Sequence, residues 1–85
     1  MYTIYTREAC NYCDMAKAEI KRLNIDFKEI PQNEATIKEL NEKLMGPTSF
    51  TYPQIFDGNH SIGGYIDLLD YTEEMVTTGA AGSSI

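Results

Sequence analysis

Residues 2–5 are rich in β-formers, and soon afterwards the pattern changes to apolar residues at three- and four-residue steps: Cys13, Ala16, Ile20 and Leu23. A second β-rich run containing Ile25, Phe27 and Ile30 follows and stops at Pro31. This strand, helix, strand order constrains the fold more than any other feature. Such a crossover is right-handed and lays its two strands parallel. Tyr2 and Ile4 share one face of the first strand and Tyr5 takes the other, so both faces are expected to be partly covered. Lys17, Lys21 and Arg22 lie off the apolar stripe and look outward, and Asn24 is the expected helix stop.

The rest of the chain continues in the same alternation. Asn33 is placed to cap a second helix in which Ile37, Leu40 and Leu44 stack, and Gly46-Pro47 would end it. After a loop over residues 48–51, residues 53–56 are strand-like, Asp57-Gly58-Asn59 is a tight-turn signal, and residues 60–62 return as an antiparallel partner. Following Gly63-Gly64, a third helix turns Tyr65, Leu68, Leu69, Thr72 and Val76 inward and Asp67, Asp70, Glu73 and Glu74 outward. Residues 79–84 are small and polar, a tail expected to fray.

With 85 residues, one domain with a small core is expected. No stretch approaches the ~18 apolar residues of a membrane span, and the first residues carry neither a basic region nor an apolar run of a secretory signal. A soluble, cytoplasmic protein is expected. The net charge is −6, all seven basic residues lie at or before Lys43, and the acids beyond it are unopposed. Nucleic-acid binding is disfavoured.

The two cysteines, Cys10 and Cys13, are three residues apart at the start of the first helical pattern. Two are too few for a disulfide framework, and a close pair in a reducing compartment points to catalysis. A metal site is disfavoured, because zinc wants four ligands and His60, expected to be solvated in a hairpin turn, is the only other soft or imidazole donor. Residues three apart in a regular helix hold their Cβ atoms ~5–6 Å apart, whereas a disulfide wants about 3.8 Å. Cys10 must therefore occupy the cap or first turn, exposed, with Cys13 more buried on the apolar stripe. Unpaired N–H donors and the positive end of the helix dipole favour a thiolate there. Cys10 is then the nucleophile and Cys13 the resolving thiol. Arg7 adds a cation upstream, and Asp14 opposes ionisation if it turns toward Cys10.

The first strand, the Cys-x-Tyr-Cys pair after Tyr5-Thr6-Arg7, the Thr51-Tyr52-Pro53 triplet and the Ile62-Gly63-Gly64 turn together resemble a small dithiol glutaredoxin. The resemblance covers residues 1–78, leaving residues 79–85 as a flexible tail. It implies an α/β, thioredoxin-like fold in which a four-stranded mixed sheet is flanked by three helices. It also implies a glutathione-dependent oxidoreductase that reduces protein disulfides and glutathione mixed disulfides, with glutathione as co-substrate, no tightly bound cofactor and no metal. Arg7 would meet the glycine carboxylate of glutathione and Tyr12 would line its groove. A cis Pro53 would leave the Tyr52 backbone free to pair with an extended thiol substrate, and Thr51 would join it among the glutathione-binding residues. Gly64, Tyr65 and Ile66 would offer backbone donors to the γ-glutamyl carboxylate.

This sequence departs from the family pattern in three places. Asn11 replaces a proline common in the pair, Ile66 stands where many members have an acid, so that Asp67 would have to substitute, and Gly46-Pro47-Thr48 lacks an arginine. Weaker binding of glutathione is the expected result. The implied partners are glutathione and disulfide-containing or glutathionylated proteins, ribonucleotide reductase among the candidates, met by a monomer. Two other readings of the pair stay open: a dimer holding a [2Fe–2S] cluster through Cys10 and glutathione, and a thioredoxin-like electron donor. The second is disfavoured because Ala9 stands where thioredoxins usually carry tryptophan.

Overall fold

The computed structural model describes residues 1–44 and 50–79, with side chains given up to residue 73. The expected stop at Gly46-Pro47, the burial of Val76 and the tail from residue 80 onward lie outside what is described. The elements run β1 (Tyr2–Thr6), α1 (Asn11–Arg22), β2 (Phe27–Pro31), α2 (Glu34–Lys43), β3 (Gln54–Asp57), β4 (His60–Gly63) and α3 (Tyr65–Gly79). One mixed sheet has the order β2-β1-β3-β4. β1 pairs parallel with β2, Ile4 beside Glu29, and antiparallel with β3, Ile4 beside Ile55. The expected thioredoxin-like arrangement of four strands and three helices is present.

Alternation along β1 divides the core. Tyr2 and Ile4 point to the face where Ala16 and Ile20 of α1, Ile55 of β3 and Leu68 of α3 pack, while Tyr5 meets Leu40 of α2 and Phe56 on the other. α1 and α3 therefore cover one face and α2 the other. Ile4, Ile20, Leu40, Ile55 and Leu68 have no solvent exposure, and each such side chain stabilises the fold by about 1.5–3 kcal/mol relative to leaving it in water.

Local chemistry sets the helix ends. Asn24 adopts φ 58°, its N–H donates to the Lys21 carbonyl at 3.0 Å, and the Ile25 N–H reaches back to the Ile20 carbonyl at 3.1 Å. These two bonds form a Schellman stop, in which asparagine tolerates the left-handed region better than most residues. Ile25 thus belongs to the helix stop, and β2 begins at Phe27. At the start of α2, Asn33 Oδ1 accepts the Thr36 N–H at 2.9 Å and Thr36 Oγ1 accepts the Asn33 N–H at 2.8 Å. Two orphan donors are satisfied reciprocally.

Candidate active site

β1 delivers the redox segment from the middle of the sheet. Its last residue, Thr6, is buried at 3 % exposure and anchors the turn by donating its hydroxyl to Glu29 Oε2 at 2.8 Å. Lys17 of α1 reaches the same oxygen at 3.2 Å. The Thr6 hydroxyl and the Lys17 ammonium hold the Glu29 carboxyl below its usual range, against the opposing effect of its burial. One carboxylate thus ties together β1, β2 and the second turn of α1.

Between Thr6 and α1 the chain reverses at Ala9, which has φ 52°. Cys10 returns to extended backbone, φ −118° and ψ 99°, and serves as the N-cap of α1. Its Sγ accepts the Cys13 N–H at 3.1 Å, and its carbonyl accepts the Asp14 N–H at 3.2 Å. The non-helical backbone of Cys10 allows the two sulfurs to join: Cys10 and Cys13 form a disulfide across a Cα–Cα distance of 5.2 Å. Cys13 is 1 % exposed. Cys10, at 8 %, is the more accessible of the two but is itself buried, which corrects the expectation of an exposed thiol. Its Sγ turns back over the helix end, where it both accepts the Cys13 N–H and joins the buried Cys13 sulfur. Asp14 extends its carboxylate toward Lys17, 3.8 Å away on the next turn.

The N-terminus of α3 stands beside that of α1. The Tyr12 and Tyr65 rings lie 6.0 Å apart between centroids, tilted by 32°. Gly64 packs on the turn before β3, where a Cβ added to it would meet the Pro53 carbonyl at 3.8 Å. The Tyr52–Pro53 bond is cis, Pro53 is buried, and Gln54 Nε2 donates to the Thr51 carbonyl at 2.8 Å. Redox pair, Pro53 turn and helix start are therefore linked through Tyr12, Tyr65 and Gly64. A family model described as Glutaredoxin matches residues 2–61.

The chain belongs to the glutaredoxin family. Among its relatives, Glutaredoxin 1 of Rickettsia bellii is 40 % identical over 74 residues, covering 84 % of this chain and 76 % of that protein. Glutaredoxin 3 of Escherichia coli is 42 % identical over 66 residues, covering 76 % and 77 %. The crystal structure of Glutaredoxin 1 from Francisella tularensis superimposes with a TM-score of 0.71 at 30 % identity, covering 89 % of this chain and 95 % of that one. Membership of the glutaredoxins, with a paired Cys-x-x-Cys at a helix cap, supports a thiol–disulfide oxidoreductase.

The sequence-predicted residues of this glutaredoxin fall into two groups. Cys10, Tyr12, Cys13, Pro53, Gly64 and Tyr65 converge as described. Arg7 instead lies against the Glu8 carbonyl at 3.4 Å and, with Glu8, Pro31 and Gln32, lines a cleft of about 320 Å³ at the ends of β1 and β2. Ile66 is exposed. The Asp67 carboxylate, also exposed, turns back to accept the Gly64 N–H at 3.0 Å. His60 is exposed as expected, with its ring stacked on Tyr71 at 5.6 Å. Sequence reasoning missed Thr6 and Glu29, whose meeting depends on strand register, and the backbone of Ala9, which alanine does not announce. The Asp67 cap had a signal: a helix-starting residue followed by an acid three positions later.

Proposed function

We propose that this protein is a glutathione-dependent oxidoreductase that reduces disulfides of proteins and of glutathione adducts. The observation that carries this reading is the Cys13 N–H directed at Cys10 Sγ at 3.1 Å, at the positive end of α1. In the reduced protein the same donor and the helix dipole favour the thiolate of Cys10, the more accessible cysteine. That thiolate attacks a substrate S–S bond, forms a mixed disulfide, and releases the other substrate sulfur, which takes up a proton. Cys13 then attacks the Cys10 sulfur and expels the second substrate thiol, leaving the Cys10–Cys13 disulfide. Two electrons pass from the dithiol to the substrate, and two molecules of glutathione restore it, leaving as their disulfide.

Three features support glutathione as the reductant. Arg7 is exposed, within reach of a carboxylate and suited to bidentate binding. The Tyr65 and Ile66 N–H groups begin α3, where an anion is favoured. The Thr51 and Tyr52 backbone borders Pro53 as an edge for an extended thiol. With Ile66 in place of an acid, Asp67 is the carboxylate in the first turn of α3 that would meet the α-amino group. We assign the catalytic domain to residues 1–78 and the reaction to a reducing cytoplasm.

The test is a thiolate-absorbance titration of the Cys13→Ser protein with a turnover assay on a glutathione mixed disulfide. Cys10 is expected to titrate well below the ~8.5 of a free thiol, and Cys10→Ser is expected to abolish turnover. A Cys10 titrating as an ordinary thiol, or a Cys10→Ser protein that still turns over, overturns the reading.

A further inference from the structure

Asp14 and Lys17 of α1 take no part in the exchange of sulfurs, yet both follow Cys10 within two turns. The Asp14 N–H donates to the Cys10 carbonyl at 3.2 Å, which places Asp14 one turn beyond Cys10 on the same side of the helix. Helical side chains lean toward the N-terminus, so an unrestrained Asp14 carboxylate leans toward Cys10, where its charge opposes a thiolate. That carboxylate is 77 % exposed and meets Lys17 Nζ at 3.8 Å. Lys17 is itself held: only 25 % of its side chain is exposed, and its ammonium donates to Glu29 Oε2 at 3.2 Å. The same oxygen accepts the Thr6 hydroxyl at 2.8 Å. The hydroxyl and the ammonium hold the Glu29 carboxyl below its usual range, with Lys21 adding to the positive field, so Glu29 keeps its charge wherever a thiol titrates. A cation fixed from β1 and β2 thus faces an exposed carboxylate on α1. The other titratable groups around the start of α1 are engaged elsewhere. Arg7 lies against the Glu8 carbonyl in a cleft with Glu8, Asp67 accepts the Gly64 N–H on α3, the rings of Tyr12 and Tyr65 face each other, and the Tyr52 hydroxyl is buried.

We propose, resting on the oxidoreductase reading above, that Lys17 is a positioning residue for the reaction: anchored on Glu29, it engages the Asp14 carboxylate and keeps that charge from opposing the Cys10 thiolate. Lys17 forms no bond to substrate and moves no proton, and the bonds and electrons exchanged remain those of the dithiol reaction. Its effect is on the fraction of Cys10 that is ionised, and hence on the rate of attack on a disulfide near neutral pH. Two contributions are separable. The ammonium's own field at Cys10 is present whatever residue 14 is, whereas the restraint on Asp14 requires a carboxylate there. The second is the larger, because the ammonium is already offset by Glu29 and belongs to a residue two turns from Cys10, whereas Asp14 is one turn away.

The test titrates Cys10 by thiolate absorbance at low ionic strength in the Cys13→Ser protein, alone and with Lys17→Met, Lys17→Arg, Asp14→Asn, or Asp14→Asn and Lys17→Met together. Lys17→Met is expected to raise the Cys10 pKa by about half a pH unit, and by well under half as much when Asp14→Asn is also present. Lys17→Arg, which keeps the charge, is expected to stay close to the parent. An equal rise from Lys17→Met in both backgrounds assigns the effect to the ammonium's own field and overturns the positioning role. So does a Cys10 unmoved by Lys17→Met, or a rise in Lys17→Arg as large as that in Lys17→Met. Each of these results, in a parent whose Cys10 titrates well below a free thiol, leaves the oxidoreductase reading standing. A parent whose Cys10 titrates as an ordinary thiol overturns both.

Discussion

The Gly64 N–H donates to Asp67 Oδ2 at 3.0 Å, and the same carboxylate occupies the space a side chain at residue 63 would need, 2.4 Å from the position of a Gly63 Cβ. Gly63 also holds φ +116°, a backbone conformation rarely adopted by residues with a Cβ. Gly63→Ala is expected to cost about 1–3 kcal/mol, and Asp67→Ala about 0.5–1 kcal/mol through the lost cap. In the Asp67→Ala background the carboxylate is gone and the steric part of the Gly63→Ala cost shrinks to a tight contact with the Cβ of residue 67, at 3.0 Å. Urea denaturation of the four proteins in a double-mutant cycle should therefore show costs that do not add.

Glu29 joins Thr6 and Lys17, and its pKa lies below the usual 4.5. A lowered carboxylate pKa contributes stability above pH 4.5, and that contribution is lost as the pH falls through the native value. Its side chain is 40 % exposed, so water screens the pair and the expected cost of Glu29→Gln at neutral pH is only about 0.5–1 kcal/mol. The denaturation midpoints of the variant and the parent should converge on acidification below pH 4.5. A gap that stays constant with pH would refute the linkage.

Ala9 pays for its left-handed backbone. Ala9→Gly removes the steric penalty, exceeding the entropy glycine adds to the unfolded chain, and is expected to stabilise by about 0.5–1 kcal/mol. In a domain of this size that corresponds to a rise of roughly 2–8 °C in Tm. Ala9→Val is expected to destabilise by about 1–3 kcal/mol. Thermal unfolding followed by circular dichroism separates the two.

Tyr5 donates its hydroxyl to Glu39 at 2.6 Å from the buried face of β1. Burial first, and then the bond to Glu39 and its charge, push the phenol above the usual 10.0. A raised tyrosine pKa contributes stability below pH 10 that is lost as the pH climbs further, since the unfolded chain ionises first. Tyr5→Phe is expected to cost about 0.5–1.5 kcal/mol at pH 7 and to flatten the loss of stability above pH 10. Guanidinium unfolding between pH 8 and 11 measures both effects.

Much of this architecture is legible in individual residues. Asn24 and Asn33 mark helix ends because their side chains suit those backbone positions, and the split of Tyr2 and Ile4 from Tyr5 follows from strand alternation. The placement of Cys10 outside the helix follows from disulfide geometry. What eluded the sequence depends on contacts between distant segments. The Thr6 bond to Glu29 requires the parallel register of β1 and β2, and the stacking of His60 on Tyr71 requires β4 to lie under α3. The burial of Cys10 goes with a sulfur turned back onto the helix end and joined to buried Cys13. Alanine carries no sign of the conformation it adopts at residue 9.

β1, the strand from which the cysteines hang, is hydrogen-bonded along both sides, to β2 and to β3, whereas β2 and β4 are the sheet's outer strands. Fraying of a sheet starts from its outer strands, and amides of a doubly flanked strand exchange only in the largest openings. The turn that leads to the cysteines is therefore anchored, at its start, to the segment that lets go last.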